Sequence, residues 1–246
     1  MSRSFLQSRR SWRLYVFLVA AGLVIAVAAG LAAETALTRR HPENYVIPPV
    51  PSLPGATSPA ASPGNAAPSA SGPLQVLPGT AAGPGGVRTG YPDTLAGAVS
   101  AAVEDWSQIG SCLNPARAAL IGTAIADPSW RRAGAALAAG VQSTRKGLGL
   151  PASGPLPAGA SVTFTAVDYQ VRDATAGRVT VLLLAYYAVT LPGQQATTST
   201  GVYPAAMHWA RGGWKILAPG GPSYAGLDAQ PGSAQAAADG WLPLDQ

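Results

Sequence analysis

The chain has 246 residues, of which 29 are Gly, 23 are Pro and only 11% are charged. This composition excludes a packed core throughout and favours one domain flanked by non-globular segments. A net charge of +5 is compatible with nucleic-acid binding, but four of the 16 basic residues lie in the first 13 positions. The rest of the chain has 12 basic and 11 acidic residues and is nearly neutral, so we expect no direct nucleic-acid contact. The four are Arg3, Arg9, Arg10 and Arg13.

The residues that usually carry cofactor or redox chemistry are scarce. Cys112 is the only cysteine, which excludes an internal disulfide, and His41 and His208 are too few for the usual zinc ligand sets. No phosphate-binding glycine motif is present. We therefore expect no cofactor and no metal.

An uncharged apolar segment begins at Leu14 and ends at Ala33. At about 1.5 Å per residue, it is long enough to cross a hydrocarbon core of about 30 Å. Trp12 and Tyr15 lie at its entrance, where aromatic rings favour the headgroup layer, and the arginines precede it. The pattern predicts a basic cytoplasmic tail (1–13), a transmembrane helix (14–33) and an exported C-terminal part. A cleaved signal peptide remains the alternative, because Arg9 and Arg10 form a twin-arginine pair.

Residues 34–89 are dominated by Pro, Ala, Gly and Ser. Such a segment cannot bury enough apolar surface to order itself, so we expect a disordered stalk that holds the following domain away from the membrane.

The folded domain is expected over residues 90–219, with helices first and strands after. An apolar stripe from Leu95 to Trp106 has helical spacing, and further helices are expected over about 115–126 and 128–146, each opened by a capping residue and a proline. Alternating patterns then predict four antiparallel strands, and residues 220–246 are expected to be a loosely ordered tail in which Trp241 and Leu242 dock. The fold class is therefore α+β, with helices on one face of a curved four-stranded sheet. The expected strands are 162–172, 178–191, 198–210 and 214–217.

Aromatic residues are the main candidates for a site. They could line a ligand pocket between helices and sheet, but residues of this kind more often form the core. No nucleophile and base are apparent: His208 stands alone, Glu104 and Asp105 are adjacent on one helix and so face different directions, and Asp168 is a single carboxylate on a strand. We expect a protein that is not an enzyme. The aromatic candidates are Trp106, Trp130, Tyr169, Tyr186, Tyr187, Trp209 and Trp214.

The chain has one expected transmembrane helix, a stalk, a long first helix and a closing hairpin around Trp209 and Trp214. This organisation resembles nuclear-transport-factor-2-like domains. Among these, the single-pass subunits of type IV secretion and conjugation systems, including TcpC-like proteins, are the best match. The opening Gly90-Tyr91-Pro92-Asp93-Thr94 also looks like membrane proteins of actinobacterial conjugative elements. The resemblance covers about residues 90–219, although some of those proteins carry two such domains and this chain has room for one.

This resemblance implies a cone-shaped, cystatin-like domain and a scaffold role in DNA transfer. The expected partners are the lipid membrane, other copies of the chain and other secretion-channel subunits. The alternative function is an anchored binding or accessory module of the cell envelope, unrelated to secretion.

Overall fold

The computed structural model describes residues 73–246. The expected cytoplasmic tail, the anchor residues Trp12, Leu14, Tyr15 and Ala33, and most of the expected stalk lie outside the described residues. Within residues 73–246, no helix combines the length and apolar character needed to span a bilayer.

Three helices form the first half of the domain. Helix α1 (Leu95–Gly110) begins where the Thr94 side chain accepts a hydrogen bond from the Gly97 N–H, and α2 (Pro115–Ile125) begins with a proline after Asn114, whose side chain caps two N–H groups. Helix α3 (Ala133–Gly147) starts later than residue 128, where the sequence pattern predicted it. The cause is a turn in which the Asp127 carboxylate accepts the Ser129 N–H, so the intervening residues are not helical.

Three long strands and a short fourth one follow in an antiparallel meander: β4 (Ser161–Thr175), β5 (Arg178–Thr190), β6 (Thr197–Ala210) and β7 (Gly213–Ile216). The prediction of a four-stranded sheet is nevertheless wrong. Strand β8 (Leu242–Asp245) pairs with β4, and β1 (Leu74–Gln75) pairs in parallel with β8. The result is a six-stranded mixed sheet in the order β1-β8-β4-β5-β6-β7.

The two additional strands come from segments that were expected to lack order. Between β1 and α1, a small ladder of β2 (Ala81–Ala82) and β3 (Arg88–Thr89) flanks a 3₁₀ turn at Pro84–Gly86, and Val87 is fully buried. The folded unit therefore starts before residue 90. The tail adds a 3₁₀ turn (Ala225–Leu227), helix α4 (Ala234–Ala238) and β8.

The sheet buries side chains on both faces. One face packs against the helices in the main core, whereas Leu182 and Leu184 on the opposite face pack against Ala229, Ala236 and Trp241 of the C-terminal segment. This explains why residues 181–185 of β5 form a continuous apolar run, because neighbouring residues point to opposite faces and both faces are covered. The expected one-sided, nuclear-transport-factor-2-like cone is corrected to a sheet covered on both sides.

Candidate functional site

Part of the aromatic set packs together between α1 and the sheet. The Trp106 ring lies 5.2 Å from Tyr203 and 6.0 Å from Phe164, measured between centroids, and its indole N–H donates to the Pro204 carbonyl at 3.2 Å. Burial raises the pKa of Tyr203 to about 12, and burial also raises the pKa of the neighbouring Tyr187. These side chains pack against one another between α1 and the sheet.

The other aromatic candidates lie elsewhere. Trp209 and Trp214 meet edge to face across the β6–β7 hairpin, with 5.5 Å between centroids, while Trp130 is 7% and Tyr169 is 1% exposed. The Tyr186 hydroxyl oxygen accepts a hydrogen bond from the Gln230 side-chain amide at 2.6 Å. The structure thus distributes the set around the domain and does not bring it together as a pocket.

One polar pair was missed by the sequence reading. His208 on β6 and Asp127 after α2 are joined by a contact of 2.7 Å between Nδ1 and a carboxylate oxygen, and the other carboxylate oxygen accepts the Ser129 hydroxyl at 2.5 Å. Although burial alone would raise it, the hydrogen bonds from Ser129 and His208 lower the pKa of Asp127 to about 2. The sequence pattern predicts Asp127 only as the capping residue before Pro128.

This pair does not form a nucleophilic relay. The Ser129 hydroxyl donates to the carboxylate and so is not the group that the imidazole would activate, and Cys112 is buried with its thiol directed to the Asn114 carbonyl. Asp127 instead fixes the orientation of the partly exposed His208 ring and links β6 to the end of α2. The arrangement fits a structural clamp.

Two carboxylates are buried on opposite faces of the sheet. Asp105 on α1 is fully enclosed; burial raises its pKa well above the ordinary value, while the nearby Lys215 opposes that shift. Burial also raises the pKa of Asp168, which a backbone hydrogen bond from Gly232 opposes. Because the sheet separates Asp105 from Asp168, the two carboxyl groups cannot act as an acid–base pair. Glu104, next to Asp105 in the sequence, accepts a hydrogen bond from the Arg88 backbone N–H.

The outer edge of β6 is open over its first half. Strand β7 pairs only with the end of β6, from residue 207 onward. The Pro204 carbonyl accepts the Trp106 indole N–H and the Ala206 carbonyl accepts the Leu217 N–H, so both carbonyls point away from β5. Along a strand, the backbone groups of successive residues point to alternate sides. The backbone groups of Thr198, Thr200 and Val202 therefore also face outward, and no residue of the described part hydrogen-bonds to them.

An open pocket of about 570 Å³ lies where α2 begins. It is lined by residues 113–116, Arg145 and residues 153–156, and Arg145 is the only charged residue among them. Within residues 73–246, no cluster of three or more His, Cys, Asp or Glu side chains is placed to hold a metal ion.

Comparison with known proteins gave no relative: no protein-family model, no curated protein and no solved structure matches this chain. The resemblance to conjugation subunits therefore stays a prediction.

Proposed function

We propose that this chain is a membrane-anchored assembly subunit that acts outside the cytoplasm without catalysing a reaction, and that its specific role is that of a scaffold in a conjugation or type IV secretion-like apparatus. The open edge of β6 carries this proposal. A scaffold needs a surface that pairs with another protein, and a free strand edge offers a row of directional backbone hydrogen bonds for that purpose.

The sequence of this edge supports an interaction role. Natural proteins usually block an exposed strand edge with charges, proline or a covering element. No charged residue occurs from Val179 to His208, and Pro204 is the single proline within β6. Pro204 blocks the edge only at its own position, which leaves the outward N–H groups of Thr198, Thr200 and Val202 able to donate to a partner strand.

The expected anchor and stalk complete the proposal. If residues 14–33 span the membrane and the stalk follows, each domain is confined to a layer above the same membrane, which raises the effective concentration of the edges for one another and for other membrane-bound subunits. Weak strand pairing is then sufficient for assembly.

Crosslinking in the native membrane tests the proposal. The tagged full-length protein should be recovered with other copies of itself, with a transport ATPase and with a polytopic channel protein. Recovery of the protein alone would refute the secretion role and favour the envelope module. A purified chain about thirty residues shorter than the sequence would refute the anchor.

A matched pair of proline variants tests whether β6 is the assembly edge. Thr200→Pro removes an outward N–H and should abolish crosslinking while leaving the domain folded, whereas Ser199→Pro removes an N–H that faces β5 and should unfold it. If Thr200→Pro is folded and crosslinks like the unmodified protein, the edge is not the site of assembly.

The pocket beside Arg145 favours the second candidate, an envelope binding module. A concave site with one charged group among apolar residues is typical of small-ligand sites and is not required by a scaffold.

A further inference from the structure

The guanidinium of Arg145 is buried without a counter-ion. Arg145 is only 1% exposed, yet no carboxylate within residues 73–246 forms an ion pair with its guanidinium. Moving an unpaired charge out of water is costly unless hydrogen bonds or an opposite charge compensate for it. A buried arginine in such a setting needs an explanation.

Backbone carbonyls meet only part of this need. Nη1 donates to the Leu113 carbonyl at 3.3 Å, and Nη2 donates to the Ser153 and Gly154 carbonyls at 3.3 and 3.0 Å. Nε has no hydrogen-bond partner in the described part of the chain, and of the five N–H donors of a guanidinium three are therefore used. Carbonyl oxygens carry partial charge only, so the positive charge is solvated but not neutralised.

The surroundings add positive potential to this charge. The pocket that Arg145 lines is also lined by Asn114 and Pro115, which open α2, an eleven-residue helix. Asn114 already accepts the first free N–H groups of the helix, from Ala116 and Arg117, so the helix contributes its dipole and not further donors. No acidic side chain lines the pocket.

We propose that this pocket binds a small molecule or side group that carries a single anionic group, a carboxylate or a phosphate, on an apolar body. The anion would pair with the Arg145 guanidinium in place of the weaker carbonyl contacts, and the apolar body would lie against residues such as Leu113, Pro155 and Leu156. A volume of about 570 Å³ suits a ligand of modest size. This site is independent of the β6 edge.

The experiment compares three water-soluble probes on the full-length protein in lipid nanodiscs, with empty nanodiscs as the reference. Benzoate and phenyl phosphate should bind in calorimetry with a Kd of about 1 mM or tighter, as expected for ligands of about ten heavy atoms, and benzyl alcohol should bind at least tenfold more weakly. The tighter of the two anions identifies the carboxylate or the phosphate as the natural group. Equal binding of benzyl alcohol, or no binding of either anion at 10 mM, overturns the proposal and leaves Arg145 a structural link between loops.

Variants locate the site without removing the buried arginine. Ala116→Glu places a carboxylate at the pocket in the first turn of α2, where a negative charge stabilises the helix, and should weaken benzoate binding at least tenfold in a folded protein. Leu120→Glu adds the same charge to the same helix at an exposed position that does not line the pocket, and should bind as the unmodified chain does. If both variants bind benzoate equally well, the anion binds elsewhere and the assignment is wrong.

Discussion

Replacing Trp241 by alanine tests whether the C-terminal segment is a structural part of the domain. Its indole is 5% exposed and packs with Leu182 and Leu184 on the sheet face away from the main helices. Its N–H donates to the Leu227 carbonyl at 3.1 Å, which joins the two ends of the segment.

The magnitude follows from the buried area. A buried tryptophan hides about 200 Å², which at about 25 cal/mol per Å² corresponds to about 5 kcal/mol, and the lost hydrogen bond adds about 1 kcal/mol. Residual compactness of the unfolded chain reduces this sum. We therefore expect Trp241→Ala to lower the free energy of unfolding by about 3–5 kcal/mol, the usual range for large core truncations.

Equilibrium urea unfolding of residues 73–246, followed by circular dichroism, measures the change. The control is Leu120→Ala, since Leu120 is 53% exposed and its truncation should change the free energy of unfolding by less than about 0.5 kcal/mol. A loss below about 1 kcal/mol in Trp241→Ala would show that the segment does not cover the sheet, and the account of two buried faces would be wrong.

Three further substitutions test individual contacts. Asp127→Asn should lower the free energy of unfolding by roughly 1–2 kcal/mol at pH 7. Because the folded state lowers the pKa of Asp127, its carboxylate stabilises the fold above the pKa of the unfolded chain and loses this effect on acidification, so the variant should lose less stability between about pH 4 and 2; unfolding curves across that range measure the difference. Asp105→Asn should raise the melting temperature more at pH 8 than at pH 5, because the raised pKa of Asp105 makes the original chain lose stability as the pH rises; an equal change at both values would contradict this. Gly122→Ala should destabilise by about 1–3 kcal/mol in urea unfolding, since a Cβ there would lie 2.9 Å from backbone atoms of Ala133, whereas Gly220→Ala meets nothing within 4 Å and should be neutral.

The helices and the long strands could be predicted because their signals are local. The apolar stripe predicts α1, alternating residues predict β4 and β6, and the run of Val, Leu and Tyr residues predicts β5. Strands β1 and β8 have two and four residues, too few for a period to be recognised, and β8 follows a segment rich in small residues. Their pairing joins residues about 170 positions apart, from Leu74 to Leu244, which no local pattern encodes.

The polar contacts were hidden for the same reason. The Asp127–His208 pair spans 81 residues, and Asp127 also matched the local pattern of a helix cap, so its second partner was not apparent. Arg145 lies in the last turn of α3, where a positive charge is favourable on local grounds alone, so its sequence position does not indicate burial. Its burial depends on the Leu113 carbonyl and the loop at residues 153–154, which only the tertiary structure brings together.

The order of strands separates the expected anchor from the proposed assembly edge. The chain enters the sheet at β1, on one side, and the open part of β6 lies four strands away, at about 4.8 Å per step or about 19 Å. A partner strand added to β6 would therefore lie well apart from β1, which is compatible with the proposed pairing of anchored copies. Placing β1 beside β6 would block the open edge, so the parallel pairing of β1 with β8 is the feature of the fold that keeps the proposed assembly edge free and apart from the expected anchor.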